Sequence, residues 1–121
     1  MTFSDQDLAA IAAAEEIDIE TRATDGTVHR TIIWIVTHDG NVYLRSVNGP
    51  GARWYREATA TGDVAVHVEG RRVPVRVEAA ADPAGIAACS AGLEGKYPRN
   101  YSLESMLLPE TLPTTLRVVT A

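Results

Sequence analysis

Apolar residues along the chain recur with a period of two in some stretches and near 3.6 in others, and the changes of period mark its elements. The densest stretch runs from Thr31 to Arg56. Asp39-Gly40 divides its extended part in two, and Asp-Gly is a strong hairpin signal because both central residues of a tight primed turn need positive φ. A two-residue turn there sets His38 opposite Asn41, Val36 opposite Tyr43, Ile35 opposite Leu44 and Trp34 opposite Arg45. Ile33, Ile35, Val42 and Leu44 then share a core face. Ile32, Trp34, Val36, Tyr43 and Arg45 share the other, which reads as largely covered too. A strand apolar on both sides belongs in the middle of a sheet or in a barrel wall.

The remaining elements follow by the same reading. Ser4–Glu16 is predicted as a helix, capped by Ser4 or Asp5, with a thin stripe of Leu8, Ile11 and Ala12 that packs against the sheet. Glu16–Arg22 alternates as a half-exposed strand, and Asp25-Gly26 points to a hairpin into a strand over Val28–Thr37. A strict two-residue turn at Asp25-Gly26 puts Asp18 opposite Ile33 on the core face, so a bulge or a longer loop is required. Asp63–Ala80 reads as a hairpin turning on Gly70-Arg71, with every valine on one face and His67, Arg76 and Glu78 on the other. Pro74 has no N–H to give, so that position should face away from a ladder partner. Asp82-Pro83 opens a helix ending near Gly92–Gly95, Ser102–Leu108 is a short helical piece, and Thr114–Thr120 is a last strand. The expected fold is mainly β (α+β): one domain over residues 1–121, a six-stranded antiparallel split β-barrel with helical covers.

Composition narrows the class. The chain has 121 residues, 45% of them hydrophobic and 22% charged, enough for one globular core. No apolar run nears the ~20 residues of a membrane-spanning helix, and the acidic first residues do not read as a signal peptide. A single cysteine, Cys89, excludes an intrachain disulfide and reads as a small core residue. These features lead to an expectation of a cytoplasmic protein without membrane contact. Net charge is -5, which argues against general nucleic-acid binding. Residues 22–56 nevertheless carry five arginines against two aspartates. Such a basic zone in an acidic protein suits a small anionic ligand.

Candidate chemistry gathers in that zone. Asn48-Gly49-Pro50-Gly51 followed by a helix over Ala52–Thr59 offers backbone amides and a helix N-terminus as a phosphate seat, with Arg53 and Ser46 beside it. The same residues also read as an ordinary loop with a solvated arginine. Trp34 opposite Arg45 reads either as a cross-strand cation–π pair or as the wall of a groove for a flat ring with an anionic tail. His29, His38 and His67 lack metal-ligand spacing, and neither a nucleophile elbow nor a Walker loop is present. Any enzyme chemistry therefore falls to a bound cofactor.

Trp34…Asp39-Gly40…Tyr43-Leu44-Arg45-Ser46…Gly49…Gly51…Arg53-Trp54-Tyr55, followed by the valine hairpin, resembles the split β-barrel flavin-binding superfamily. More narrowly it resembles the deazaflavin-dependent nitroreductase family and a related family of uncharacterised small domains. Lys96-Tyr97-Pro98-Arg99-Asn100-Tyr101 is similar to that family's tyrosine-containing segment. The resemblance implies a cofactor, coenzyme F-420 or FMN, held by Arg22, Ile33, Trp34, Arg45, Ser46, Asn48, Gly49, Gly51, Arg53 and Trp54. It places Tyr97 and Tyr101 on the substrate side and assigns no catalytic residue. The family's Gly-Arg-Lys-Ser/Thr-Gly turn is replaced by Thr21-Arg22-Ala23-Thr24-Asp25-Gly26. One cation is lost and one anion gained, which weakens tail binding by up to ~1 kcal/mol per charge.

Three functions stay open at this point. The first is an oxidoreductase passing a hydride between the cofactor and a small electron-poor substrate. The second is a cofactor-free small-molecule binding protein or isomerase-like enzyme on the same barrel. The third is a structural domain that dimerises through its two-sided hairpin, and a homodimer is compatible with all three.

Overall fold

The chain leaves its second strand, at Val28–Ile33, and enters the next, at Val36–His38, after only Trp34 and Ile35. The computed structural model describes residues 3–121. Its elements in order are α1 (Asp5–Ala13), β1 (Ile17–Arg22), β2 (Val28–Ile33), β3 (Val36–His38), β4 (Asn41–Leu44), α2 (Arg53–Thr61), β5 (Asp63–Val68), β6 (Arg71–Ala79), α3 (Pro83–Lys96), α4 (Leu103–Met106) and β7 (Leu116–Thr120). Short 3-10 turns occupy Gly49–Gly51 and Leu112–Thr114. One antiparallel sheet runs β2-β1-β5-β6-β7-β4-β3. Its two end strands are neighbours in the chain, and three Cα steps span at most about 11 Å. The ladder must therefore curl until its ends meet. The split barrel is as expected, with seven strands rather than six, because the strand foreseen over Val28–Thr37 is broken at Trp34–Ile35.

Two of the three hairpin registers differ from expectation, each for a local reason. At Asp39-Gly40 both residues have positive φ, 51° and 78°, and His38 meets Asn41 while Val36 meets Tyr43. Trp34 lies outside that ladder, so it does not face Arg45. Between β1 and β2 the turn is longer than two residues: Ala23 N–H donates to Thr27 O, and Thr27 N–H to Asp25 Oδ1, both at 2.9 Å. Asp18 consequently meets Ile32 rather than Ile33, and Ile17, Ile19 and Thr21 turn inward, all buried. The β5–β6 turn sits on Glu69-Gly70, not Gly70-Arg71, with φ of 51° and 73°. Pairs shift by two, so Val66 meets Val73. A shift of two leaves every side chain on its original face, and the valine face survives. Pro74 O accepts from Ala121 N–H beyond the end of β7, so its missing donor points where the neighbouring strand has run out.

Ile11, Ile19, Ile35, Val42, Leu44, Val66, Val75 and Leu116 fill the barrel. Ser4 Oγ caps α1 by accepting from Asp7 N–H at 3.1 Å, and the helix ends at Ala13, earlier than Glu16. Ile11 is fully buried inside the barrel, so α1 contributes to the core itself. α3 and α4 cover the outer face of β3 and β4, burying Val36, Tyr43, Cys89, Leu93, Tyr97 and Met106. That cover removes the two-sided hairpin as a dimer surface. Burial pushes the Cys89 thiol up to about 11, so it is a protonated packing group.

Outside the barrel, Glu20 accepts from Arg72 Nε (3.0 Å), Arg72 Nη2 (2.9 Å) and His67 Nε2 (2.9 Å). The Arg72 hydrogen bonds, then that of His67, hold the Glu20 carboxyl down at about 2. Unfolded, it titrates near 4.5, so between pH 4.5 and 2 the unfolded chain takes the proton first and stability falls. Glu20→Gln should flatten that part of the acid-unfolding curve followed by circular dichroism. Gly85 is the tightest position of α3: a Cβ there would lie 2.2 Å from Ala80 O. Gly85→Ala should therefore cost about 1–3 kcal/mol in urea unfolding, although alanine is the better helix former by ~1 kcal/mol.

Candidate functional site

β2 is bonded to β1 alone and β3 to β4 alone, so the barrel is open between its two ends. A groove of about 360 Å³ occupies that split. Thr31, Ile32, Ile33 and Trp34 form one wall and Arg45, Val47 and Asn48 the other. Trp54, Ser102, Ser105 and Met106 complete it, with Glu16 at the α1–β1 link. The volume is at the small end of the ~300–1,000 Å³ range of ligand pockets. A second hollow of about 360 Å³ near the start of α3 is lined by His38, Asp39, Glu78, Asp82 and Arg117. Its walls are charged and hold no aromatic ring but Tyr43, so the split is the better ligand site.

Trp34 is fixed from behind. Its ring stacks on Tyr97 at 3.8 Å between centroids and 14° between planes. The Tyr97 hydroxyl donates to Glu15 O, and burial raises its pKa, which keeps it a donor. The neighbouring Lys96 Nζ donates to Ile35 O at 2.6 Å and Ile11 O at 3.0 Å. Burial pushes this ammonium down to about 8. Lys96 on the Ile35 carbonyl and Tyr97 on the indole thus hold the strand break from the end of α3, and Trp34 is presented as a wall of the groove.

The residues implied by the resemblance divide into two sets. Ile33, Trp34, Arg45, Asn48 and Trp54 line the groove together. Arg53 stands at its edge, 48% exposed, with Nη2 donating to Thr31 Oγ1 at 3.0 Å and Nε 3.9 Å from Glu57. Arg22 does not join them. It follows the outward-facing Asp18 and Glu20 on β1 and lines a different hollow. The glycine segment closes on itself: Ser46 Oγ donates to Gly49 O (2.7 Å), Gly49 N–H to Ser46 O (3.1 Å) and Ala52 N–H to Gly49 O (3.4 Å). Gly51 O accepts from Arg56 Nε. Tyr97 lies behind Trp34 rather than across the groove, and Tyr101 is 93% exposed, outside the lining. Thr31, Val47, Ser102, Ser105, Met106 and Glu16 were not foreseen. The two serines and the methionine come from more than fifty residues downstream, and no local pattern marks them.

Arg45 has a different task from the one expected. It is 2% exposed, and its donors go to Thr115 Oγ1 (3.0 Å), Ser90 Oγ (3.0 Å), Met106 O (3.2 Å) and Ile86 O (3.1 Å). All four acceptors are neutral. The guanidinium joins the end of β4 to α3, α4 and the start of β7, and the Trp34–Arg45 cation–π pair is replaced by the Trp34–Tyr97 stack.

Residues 7–118 match a family described as uncharacterized protein conserved in bacteria (DUF2255). The chain belongs to this family. No curated protein matches it. Among solved structures, an F420 reductase is 17% identical to this DUF2255 chain with a TM-score of 0.61, covering 91% of this chain and 87% of that one. A FAD-binding protein from Mesorhizobium loti is 19% identical with a TM-score of 0.60, covering 100% and 92%. HutZ, a heme storage protein from Vibrio cholerae, is 10% identical with a TM-score of 0.64, covering 100% and 92%. The likeness is one of fold: DUF2255 has the split β-barrel of flavin- and F420-binding proteins, as the resemblance implied. Proteins named for three different groups share that barrel, so the fold does not choose among them.

Trp34, Ile33, Val47 and Met106 give the groove an aromatic and aliphatic share of its lining. No helix among the described residues is long and apolar enough to cross a membrane. Arg45→Met should cost roughly 3 kcal/mol or more in chemical unfolding, because each buried acceptor left unpaired costs about 1–3 kcal/mol. Arg45→Lys, which lacks the planar fork, should recover less than half of that loss.

Proposed function

We propose that this chain is an oxidoreductase that holds a flavin-type ring, of FMN or coenzyme F-420, in the split of the barrel and passes a hydride to or from a small electron-poor organic molecule. The observation that carries the reading is Trp34, stacked on Tyr97 and facing a groove at the free edge of β2. Such a ring, when bound, supplies the redox chemistry, and the protein supplies position and exclusion of water. Trp34 takes one face of the ring. The backbone of Ile32, on a strand paired on one side only, offers hydrogen-bonding groups to its polar edge. Asn48, Ser102 and Ser105 supply neutral polar contacts. A homodimer is part of the proposal: Ile32, 63% exposed, and Val47 stand at the groove as an apolar patch for a second copy.

The second reading, a cofactor-free binding protein on the same barrel, is favoured by the arginines, whose donors are already engaged by the protein. Titration of the purified chain with FMN and with F-420, followed by ligand fluorescence, separates the two. The oxidoreductase reading expects saturable binding at micromolar protein, and an affinity loss of about tenfold in Trp34→Ala, close to the ~1.5 kcal/mol upper value for an aromatic pair. No saturation with either ligand, or an unchanged affinity in Trp34→Ala, leaves the cofactor-free reading standing.

A further inference from the structure

We infer that the split of this barrel recognises the ring of its ligand and has no seat for a phosphate-bearing tail. The inference rests on the proposed function and goes beyond it by naming what is recognised: the planar heteroaromatic ring, with no contribution from a phosphate. It comes from where the arginines and the loop amides beside the groove are directed.

The arginines of the basic stretch are largely turned to the protein itself, Arg30 reaching Asp18 Oδ2 with Nε at 3.1 Å and Nη2 at 2.9 Å. Arg45 is buried on four neutral acceptors. Arg56 Nε donates to Gly51 O at 3.2 Å. Arg22 follows the outward face of β1, whereas Thr21 points inward and donates to Glu57 Oε1 at 2.7 Å. Arg53 stands at the edge of the groove with Nη2 on Thr31 Oγ1, and its charge is opposed by Glu57 at 3.9 Å. The glycine segment spends its Gly49 and Ala52 amides and the Ser46 hydroxyl within itself, and Pro50 has no N–H. Ala52 leaves the first turn of α2 without a side-chain cap. A helix N-terminus carries about half a positive charge, and Glu57, one turn further along, offsets it. Glu16 adds a second carboxylate to the groove lining. At this turn Arg53 faces Glu57, while the groove offers a ring Trp34, Ile33, Val47 and Met106.

The test compares ligands that differ only in the tail: riboflavin against FMN, and the bare deazaflavin ring against F-420. Each is titrated into the full chain at low and high salt, with millimolar inorganic phosphate as competitor. The expected result is affinities within about threefold across each pair, under ~0.7 kcal/mol, with little salt dependence and no competition by phosphate. Arg53→Gln should leave each pair equally matched. Binding of the phosphate-bearing member tenfold or more tightly, weakened by salt and lost in Arg53→Gln, overturns this inference while the flavin reading stands. Absence of saturable binding by all four ligands overturns the flavin reading and this inference together.

Discussion

Two residues, Trp34 and Ile35, join strands that lie at opposite ends of a seven-stranded ladder. A flat sheet cannot satisfy that connection, so the sheet curls until its ends face each other across a gap. The groove is that gap. Its position follows from chain continuity, and its aromatic wall follows from the same two residues, one turned into the core and the other turned out to stack on Tyr97. Lys96 and Tyr97, adjacent at the end of α3, bond to the Ile35 carbonyl in the break and to the Ile11 and Glu15 carbonyls in and just after α1. The helix that covers the barrel thereby fixes the shape of its opening.

Arg45 sets the second constraint. A buried guanidinium without a carboxylate is expensive unless its donors are used, and here oxygens from α3, α4 and the approach to β7 use them. The residue that looked most like an anion ligand from its place beside Ser46 and the glycine segment is instead the joint of three elements. Its engagement also accounts for the character of the groove, which has the aromatic and aliphatic walls suited to a ring while the nearby positive charge is spent inside the protein. The split barrel hosts several groups among proteins of this fold. Which one a member takes is decided by side chains such as these rather than by the strand order.

Much of the barrel was legible along the chain. Asp39-Gly40 fixed its turn because both residues must adopt positive φ, and the alternating valines of 63–80 kept their face even though the turn fell on Glu69-Gly70. The β1–β2 conflict was visible as Asp18 facing a core position, and the longer loop at Asp25 resolved it as the burial pattern demanded. The strand break was not visible, because Ile32-Ile33-Trp34-Ile35-Val36 has uniform β character and only closure of the sheet requires the bend.

Of the residues that the resemblance implied for the site, Trp34, Asn48 and Trp54 line the groove and Arg53 stands beside Thr31, while Arg22, Ser46 and Tyr101 lie outside the lining. Periodicity and turn chemistry are properties of neighbouring residues, so the sequence by itself determined most of the strands, the Asp39-Gly40 turn and the core faces. Which arginines remain free, what covers the hairpin and where the barrel opens depend on contacts between residues forty to eighty-five positions apart. Those were decided only when the sheet closed, because hydrogen-bond donors and acceptors that far apart find one another through the packing of whole elements and not through any pattern along the chain.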